Sequence, residues 1–341
     1  MMKLKVGLVG LGDQWESRHR PALLALADRF EVTAICCEVA QKGERVAREF
    51  GAVPLDGFRA MIGRNDIEAV LALAPDWVGP LPILAACEAG KAVYSSVALD
   101  IAPEQVAEIR QRVQESGVAF MAELPRRYAP ATIRLKELMA TRLGQPTQMF
   151  CHERMTTEQQ TSHLRRGEYC SLTWRSLMEL VDWCCYLVDR EPTTVSSSLH
   201  RPVTNGKNSF YQSVSLQFQG ELEEQHSAMA QLSVGYYVPE AWREALSFRR
   251  PASIQICCEK GVAFIDLPSK LVWFDEAGQH TESLDQDRPV GEQMLINFHR
   301  SVTSLVRDPG DLADAYRALQ IVTSAHESAA SGKRIKLEFE S

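Results

Sequence analysis

The residues able to do chemistry in this chain fall into two groups. The first is a turn. Lys3-Leu-Lys-Val-Gly-Leu-Val leads into Gly10-Leu-Gly12, then Asp13-Gln14-Trp15, and on to His19-Arg-Pro21-Ala-Leu. An apolar run of this kind reads as a buried strand, and the segment after the glycines reads as a helix. Glycines at 10 and 12 keep side chains out of the turn. Backbone N–H groups and the positive end of the helix dipole then face a common point, which suits the pyrophosphate of a dinucleotide. The second group lies downstream: Arg126-Arg127-Tyr128, His163, Glu179 and Asp182. Glu179 reads either as a carboxylate general base or as the partner of Arg175, four residues before it on one helix face. Arg126 and Arg127 suit an anionic or polyhydroxy ligand, or an interdomain salt bridge. His163, in the polar loop Thr156–Gly167, is either a proton-transfer group or a solvated loop residue. Lys91 reads as a structural lysine at a helix–strand junction.

The elements that must position these groups divide the chain in two. Its 341 residues exceed one ordinary core, and 45% hydrophobic with 24% charged residues is ordinary globular composition. Alternation governs the first part, with strands expected at 4–9, Glu31–Cys36, Ala69–Ala74, Ala92–Ser95 and Val118–Met121. Helices are expected between them at 18–28, 40–49, 80–89 and 103–116, with Gly51, Gly90 and Gly117 as C-caps. Such alternation predicts an α/β Rossmann-type, doubly wound parallel sheet over residues 1–123. After Pro125 the pattern changes. Helix 129–141, strand Gln148–Glu153 and helix 173–187 precede successive strands from Thr193 to Phe274, and helices return at Glu292–Arg307 and Asp311–Ser331. Strands without intervening helices predict a C-terminal α+β domain, 124–341, with a large open, mainly antiparallel sheet. Its last helix is expected to pack back toward the first domain.

Charge and composition exclude several classes. The net charge of −7 argues against a nucleic-acid surface, and Arg126-Arg127, Arg165-Arg166 and Arg249-Arg250 are too short to form a basic stripe. No run of 18 apolar residues predicts a membrane span, and the start lacks a signal peptide's features. The nine cysteines include the adjacent pairs Cys36-Cys37, Cys184-Cys185 and Cys257-Cys258, without metal-ligand spacing. Reduced thiols, a cytoplasmic location and no metal follow as expectations.

Spread along the chain are further landmarks: Val32-Thr-Ala-Ile-Cys, Arg48-Glu-Phe50-Gly51-Ala, Ala85-Ala-Cys-Glu-Ala-Gly90-Lys91, Arg126-Arg-Tyr128-Ala-Pro130-Ala and Ala329-Ala-Ser-Gly332-Lys-Arg-Ile. Together with the glycine turn and His19, they resemble the Gfo/Idh/MocA oxidoreductases over essentially the full length. The resemblance implies an NAD(P)-dependent enzyme acting on a sugar, inositol or related polyol, with subunit contacts on one face of the second sheet. It therefore implies a homodimer or homotetramer. Bound cofactor would touch Gly10, Gly12, Asp13, Gln14, Trp15, Cys37, Glu38, Ala74, Pro75 and Trp77. Substrate would touch Arg126, Arg127, Tyr169 and Asp182. Tyr169 and Trp174 stack on a sugar ring or belong to the core.

The chain departs from the family where chemistry is done. The Glu-Lys-Pro after strand five is Ser96-Val97-Ala98, so the lysine is absent. The histidine four residues after Pro75 is Gly79, and the acid/base histidine of the helix motif ending at Asp182 is Glu179. The acid that holds the ribose aligns with Cys37, and Glu38 follows it; its charge disfavours a 2′-phosphate, which favours NAD over NADP. The third glycine of the turn is Trp15. Glu179, His163 and Tyr128 are the candidates for the proton-transfer role. Three readings stay open: an oxidoreductase with an atypical acid/base set, a catalytically inactive nucleotide- or sugar-binding regulator, and a non-redox enzyme.

Overall fold

The computed structural model describes residues 3–73, 78–96, 103–156, 172–204, 207–219, 227–304 and 310–339. The chain divides into two units, Met1–Pro125 with Arg288–Tyr316, and Arg126–Asp287 with Arg317–Ser341.

The first unit is built on six parallel strands. In chain order they are β1 (Leu4–Val9), β2 (Phe30–Cys36), β3 (Val53–Pro54), β4 (Ala69–Ala72), β5 (Ala92–Ser95) and β6 (Phe120–Ala122). Their spatial order is β3-β2-β1-β4-β5-β6. Val6 pairs with Val32 on one side and with Ala69 on the other. A strand between two others in a sheet covered by helices must be apolar on both faces, and Val6, Leu8 and Val9 are buried accordingly. Each such side chain contributes about 1.5–3 kcal/mol of burial. The connecting helices are α1 (Arg20–Ala25), α2 (Ala40–Phe50), α3 (Phe58–Ile62), α4 (Leu81–Glu88) and α5 (Pro103–Ser116). Gly51, Gly90 and Gly117 have φ of +68°, +65° and +60°, the left-handed conformation that ends a helix. One boundary differs from expectation. The helix anticipated from residue 18 is preceded by a wide, π-type turn, Trp15–His19, which continues into α1. Trp15 is fully buried there against Phe50 of α2, with ring centroids 6.0 Å apart. Burial of so large a ring ties the start of the helix to its neighbour α2.

The second unit opens with α6 (Pro130–Leu138) and a turn, Met139–Leu143. Next come β7 (Pro146–Thr156), α7 (Leu172–Val188), β8 (Thr194–His200) and a short ribbon of β9 (Val203–Thr204) and β10 (Lys207–Asn208). The remaining strands are β11 (Phe210–Phe218), β12 (Ala228–Val238), β13 (Ile254–Cys258), β14 (Gly261–Asp266), β15 (Lys270–Asp275), β16 (Gly278–Ser283) and β17 (Ile335–Lys336). Nine of them form one sheet in the order β16-β15-β14-β13-β7-β12-β11-β8-β17, antiparallel except where β7 lies parallel to β12. Along β11, Phe210, Gln212, Val214, Leu216 and Phe218 are buried while the alternate residues are more open, the period-two pattern of a strand with one core face. Helix α7 packs on β7 and β12. The final helices are α8 (Val290–Thr303), which falls in the first unit and packs on α1, and α9 (Gly310–Ser331).

Candidate functional site

In the first unit the candidate site grows from the end of β1. The strand order reverses between β1 and β4, and at such a switch point the loops leave an opening beyond the carboxyl ends of the strands. Gly10 turns the chain there with φ of +76°, a conformation that costs an L side chain about 1–2 kcal/mol. Its N–H donates to the Cys36 carbonyl at 2.7 Å, and the Trp15 N–H donates to the Gly12 carbonyl at 3.0 Å. Lys42 of α2 donates to the Leu11 carbonyl at 2.8 Å, tying the turn to the neighbouring helix. No side chain caps the helical segment that starts after Gln14. Asp13 and Gln14 are exposed, and Glu38 is exposed just beyond β2 with Cys37 half-buried before it. A glycine turn of positive φ beside an uncapped helix start fits a dinucleotide's pyrophosphate. Trp15 fits differently from the expectation: its indole is wholly buried and its N–H is taken by the Gly12 carbonyl. Ala74, Pro75 and Trp77, like Val97, lie outside the described residues.

A buried polar group that sequence reasoning missed stands in the same unit. Glu123, just past β6, has a fully buried side chain. Its Oε1 accepts from His19 Nε2 at 3.0 Å, from the Tyr94 hydroxyl at 3.1 Å and lies 3.2 Å from Arg18 Nη1. Burial pushes the Glu123 carboxyl up, but the His19 and Arg18 charges and hydrogen bonds outweigh it and hold the group below its ordinary range. Lys91 behaves as a structural lysine, donating to the Arg64 and Ile67 carbonyls at 2.6 Å each.

In the second unit the structure brings four of the predicted residues together in two ion-pair groups. Arg126 donates from Nη2 to Glu153 at 2.5 Å and from Nε to Glu179 at 3.2 Å, while Ser176 donates to Glu153 at 3.2 Å. Burial works against the Arg126 charge, and the two carboxylates outweigh it. Arg127 grips Asp182 through two nitrogens, Nε at 2.8 Å and Nη2. Asp182 is only 2% exposed, so this pair is part of the core. Both guanidinium groups also lie over aromatic rings, Arg126 over Trp183 and Arg127 over Tyr186. Thus each arginine is engaged by carboxylates of its own unit, and Glu179 has Arg126 as a partner. Glu153 is the member that sequence reasoning passed over. Tyr128 is half-buried in the turn after Arg127. Trp174 is core, stacked on His326 at 4.4 Å. His163 and Tyr169 lie outside the described residues. Among the described residues no group of His, Cys, Asp or Glu is placed to hold a metal, and no helix is long and apolar enough to cross a membrane.

Residues 4–124 match the family model described as an oxidoreductase family with an NAD-binding Rossmann fold. Over this segment, about a third of the chain, it is similar to the Gfo/Idh/MocA oxidoreductase family. Two relatives are similar over part of their length. A dTDP-3,4-didehydro-2,6-dideoxy-alpha-D-glucose 3-reductase of Actinomadura kijaniata is 30% identical over 118 residues, 35% of each chain. Inositol 2-dehydrogenase 3 of Saccharopolyspora erythraea is 30% identical over 168 residues, 48% of each chain. The matches span less than half the length of both relatives. A solved structure, the aldose-aldose oxidoreductase of Caulobacter crescentus, shares the fold over 98% of this chain and 100% of its own, with a TM-score of 0.82 at 15% identity.

Proposed function

We propose that this chain is a Gfo/Idh/MocA-type oxidoreductase that transfers hydride between a nicotinamide dinucleotide and a sugar, polyol or related small molecule, using an acid/base set that differs from the family's. The observation that carries the reading is the Gly10 turn at the switch point of a sheet matched to an NAD-binding family. Relatives named for a deoxysugar reductase and an inositol dehydrogenase support the substrate class. A bound dinucleotide would supply the hydride acceptor or donor. The chain's own part is to hold it and to move a proton. With Gly10 turning the chain, backbone N–H groups of Gly12, Asp13 and Gln14 would hold the pyrophosphate, and Glu38 would take the ribose hydroxyls, which favours NAD over NADP. Glu179, His163 or Tyr128 exchanges the proton with the substrate oxygen, since Val97 cannot. Arg126, Arg127 and Asp182 shape the substrate side. We further propose a cytoplasmic homodimer or homotetramer joined through the nine-stranded sheet.

A second reading has its own observation. Glu179 stands where the family's histidine is expected and is tied to Arg126, as a purely structural residue would be. That favours a nucleotide- or sugar-binding regulator without turnover. One experiment separates the two. Purified protein is titrated with NAD and NADP and its melting temperature followed, and a sugar and polyol panel is then scored at the nicotinamide absorbance. The oxidoreductase reading expects stabilisation by NAD and turnover with a member of the panel. Stabilisation without turnover favours the regulator, and no cofactor binding overturns the oxidoreductase.

A further inference from the structure

Within the second unit, β7, the start of β13 and the chain after the turn Glu240–Leu246 border an open cleft of 310 Å³. It is lined by Arg126, Arg154 and Arg250, by Glu153, and by His152 and Ser253 among others. Its charge is unusual. Three guanidinium groups line the wall with one carboxylate, in a chain whose net charge is −7. Arg126 is met by Glu153 and by Glu179 behind it. Arg154 and Arg250 have no carboxylate partner among the described residues, so the balance in the cleft stays positive even with Glu179 counted. His152 adds a neutral wall, because burial and then the Arg154 charge hold its imidazole below the ordinary value. Its Nδ1 is fixed by the Ser233 hydroxyl at 2.7 Å.

A cleft of this size takes a monosaccharide-sized ligand. Arginines without carboxylate partners present forked donors matched to a carboxylate or a phosphate. Neutral polyols need hydroxyl acceptors and donors in balance, whereas this wall is rich in cationic donors. We propose that the cleft binds the anionic oxygen group of an acidic sugar, a sugar carboxylate or a sugar phosphate, with Arg154 and Arg250 as its holders. The assignment rests on the sugar-like substrate class proposed above and narrows it.

The test uses the full-length protein without cofactor. Calorimetric titrations with glucuronate, glucose 6-phosphate, glucose, myo-inositol and inorganic phosphate read the ligand class. The expected result is measurable binding of glucuronate or glucose 6-phosphate, at least tenfold tighter than glucose or myo-inositol and weakening as salt rises. Whichever acid wins tells carboxylate from phosphate. Arg154→Gln and Arg250→Gln should each weaken that binding about 10- to 100-fold, the range for a lost charged hydrogen bond. Both residues are exposed, so the variants should keep the parent melting temperature and make the loss a loss of contact. Equal binding of neutral and acidic sugars would overturn the proposal. So would unchanged affinity in both variants, or inorganic phosphate binding as tightly as the sugar phosphate, which marks an ion site only. Failure of NAD to stabilise the protein would sink the oxidoreductase reading and leave this result standing, because no cofactor enters these titrations.

Discussion

Glu123 is the sharpest point at which the first unit can be probed. Its carboxylate is fully buried and its Oε1 serves three donors, His19, Tyr94 and Arg18. Replacing it with leucine fills similar volume and leaves those donors without their acceptor. Breaking a buried charged pair costs about 3–5 kcal/mol. Arg18 is 23% exposed and can turn toward water, which places the expected loss for Glu123→Leu near 3 kcal/mol. Glu123→Gln keeps an acceptor oxygen and loses only the charge, so it should lose about 1–2 kcal/mol. In a unit of about 150 residues each kcal/mol lowers the melting temperature by about 2–4 °C, so the leucine variant should melt about 6–12 °C lower. The pH dependence has a defined sign. The folded-state carboxyl titrates below its unfolded value of about 4.3, so its contribution is present above that pH and fades as acid reaches the folded value. Urea unfolding at pH 7 and again near pH 4, followed by the fluorescence of buried Trp15, measures both effects. A leucine variant within about 0.5 kcal/mol of the parent would refute the reasoning, as would a deficit that does not shrink in acid.

Three further outcomes follow from the same contacts. Asp182→Ala strands the half-buried Arg127 and should cost about 3 kcal/mol in urea unfolding, with Asp182→Asn costing less because an acceptor remains. Glu38→Arg removes the charge expected to repel a 2′-phosphate and should shift the ratio of NAD to NADP affinity at least tenfold toward NADP, read by fluorescence titration; an unchanged ratio would place the ribose elsewhere. Glu179→Gln leaves Arg126 with Glu153, so stability should change by less than about 1 kcal/mol. If Glu179 is the proton-transfer group, kcat should still fall by about 10²–10⁴, and an unchanged kcat would pass that role to His163 or Tyr128.

What could be read from residue types was the part governed by short-range periodicity. Val6, Leu8 and Val9 mark a strand buried on both faces, and Gly51, Gly90 and Gly117 stop their helices, because both signals act within a few residues. Trp15 was visible as a departure from the third glycine, but not its result, a wide turn packed on Phe50 from a different helix. Contacts made by topology carried no local signal. His19 and Glu123 are 104 residues apart and meet because the chain brings the turn after β1 and the end of β6 into one unit. Glu179 shows the same limit. Helical spacing could offer Arg175 as a partner but not Arg126, which lies 53 residues upstream.

That difference changes how the missing catalytic residues should be read. A histidine replaced by glutamate and a lysine replaced by valine suggest, position by position, an active site in decay. In the folded unit Glu179 is one of two carboxylates gathered on Arg126, and Ser176 on the same helix holds the other through its hydroxyl. A buried arginine needs such partners, since an uncompensated guanidinium in the core costs several kcal/mol. A histidine at 179 would leave Arg126 with Glu153 alone and, when protonated, would set like charges side by side. Arg126 and Glu179 are therefore coupled choices, and restoring the family's histidine singly should not restore the family's site. The same coupling leaves Arg154 and Arg250 as the groups of the adjoining cleft without a carboxylate among the described residues. On the oxidoreductase reading proposed above, the altered acid/base set and the cationic wall would belong to one change in substrate class.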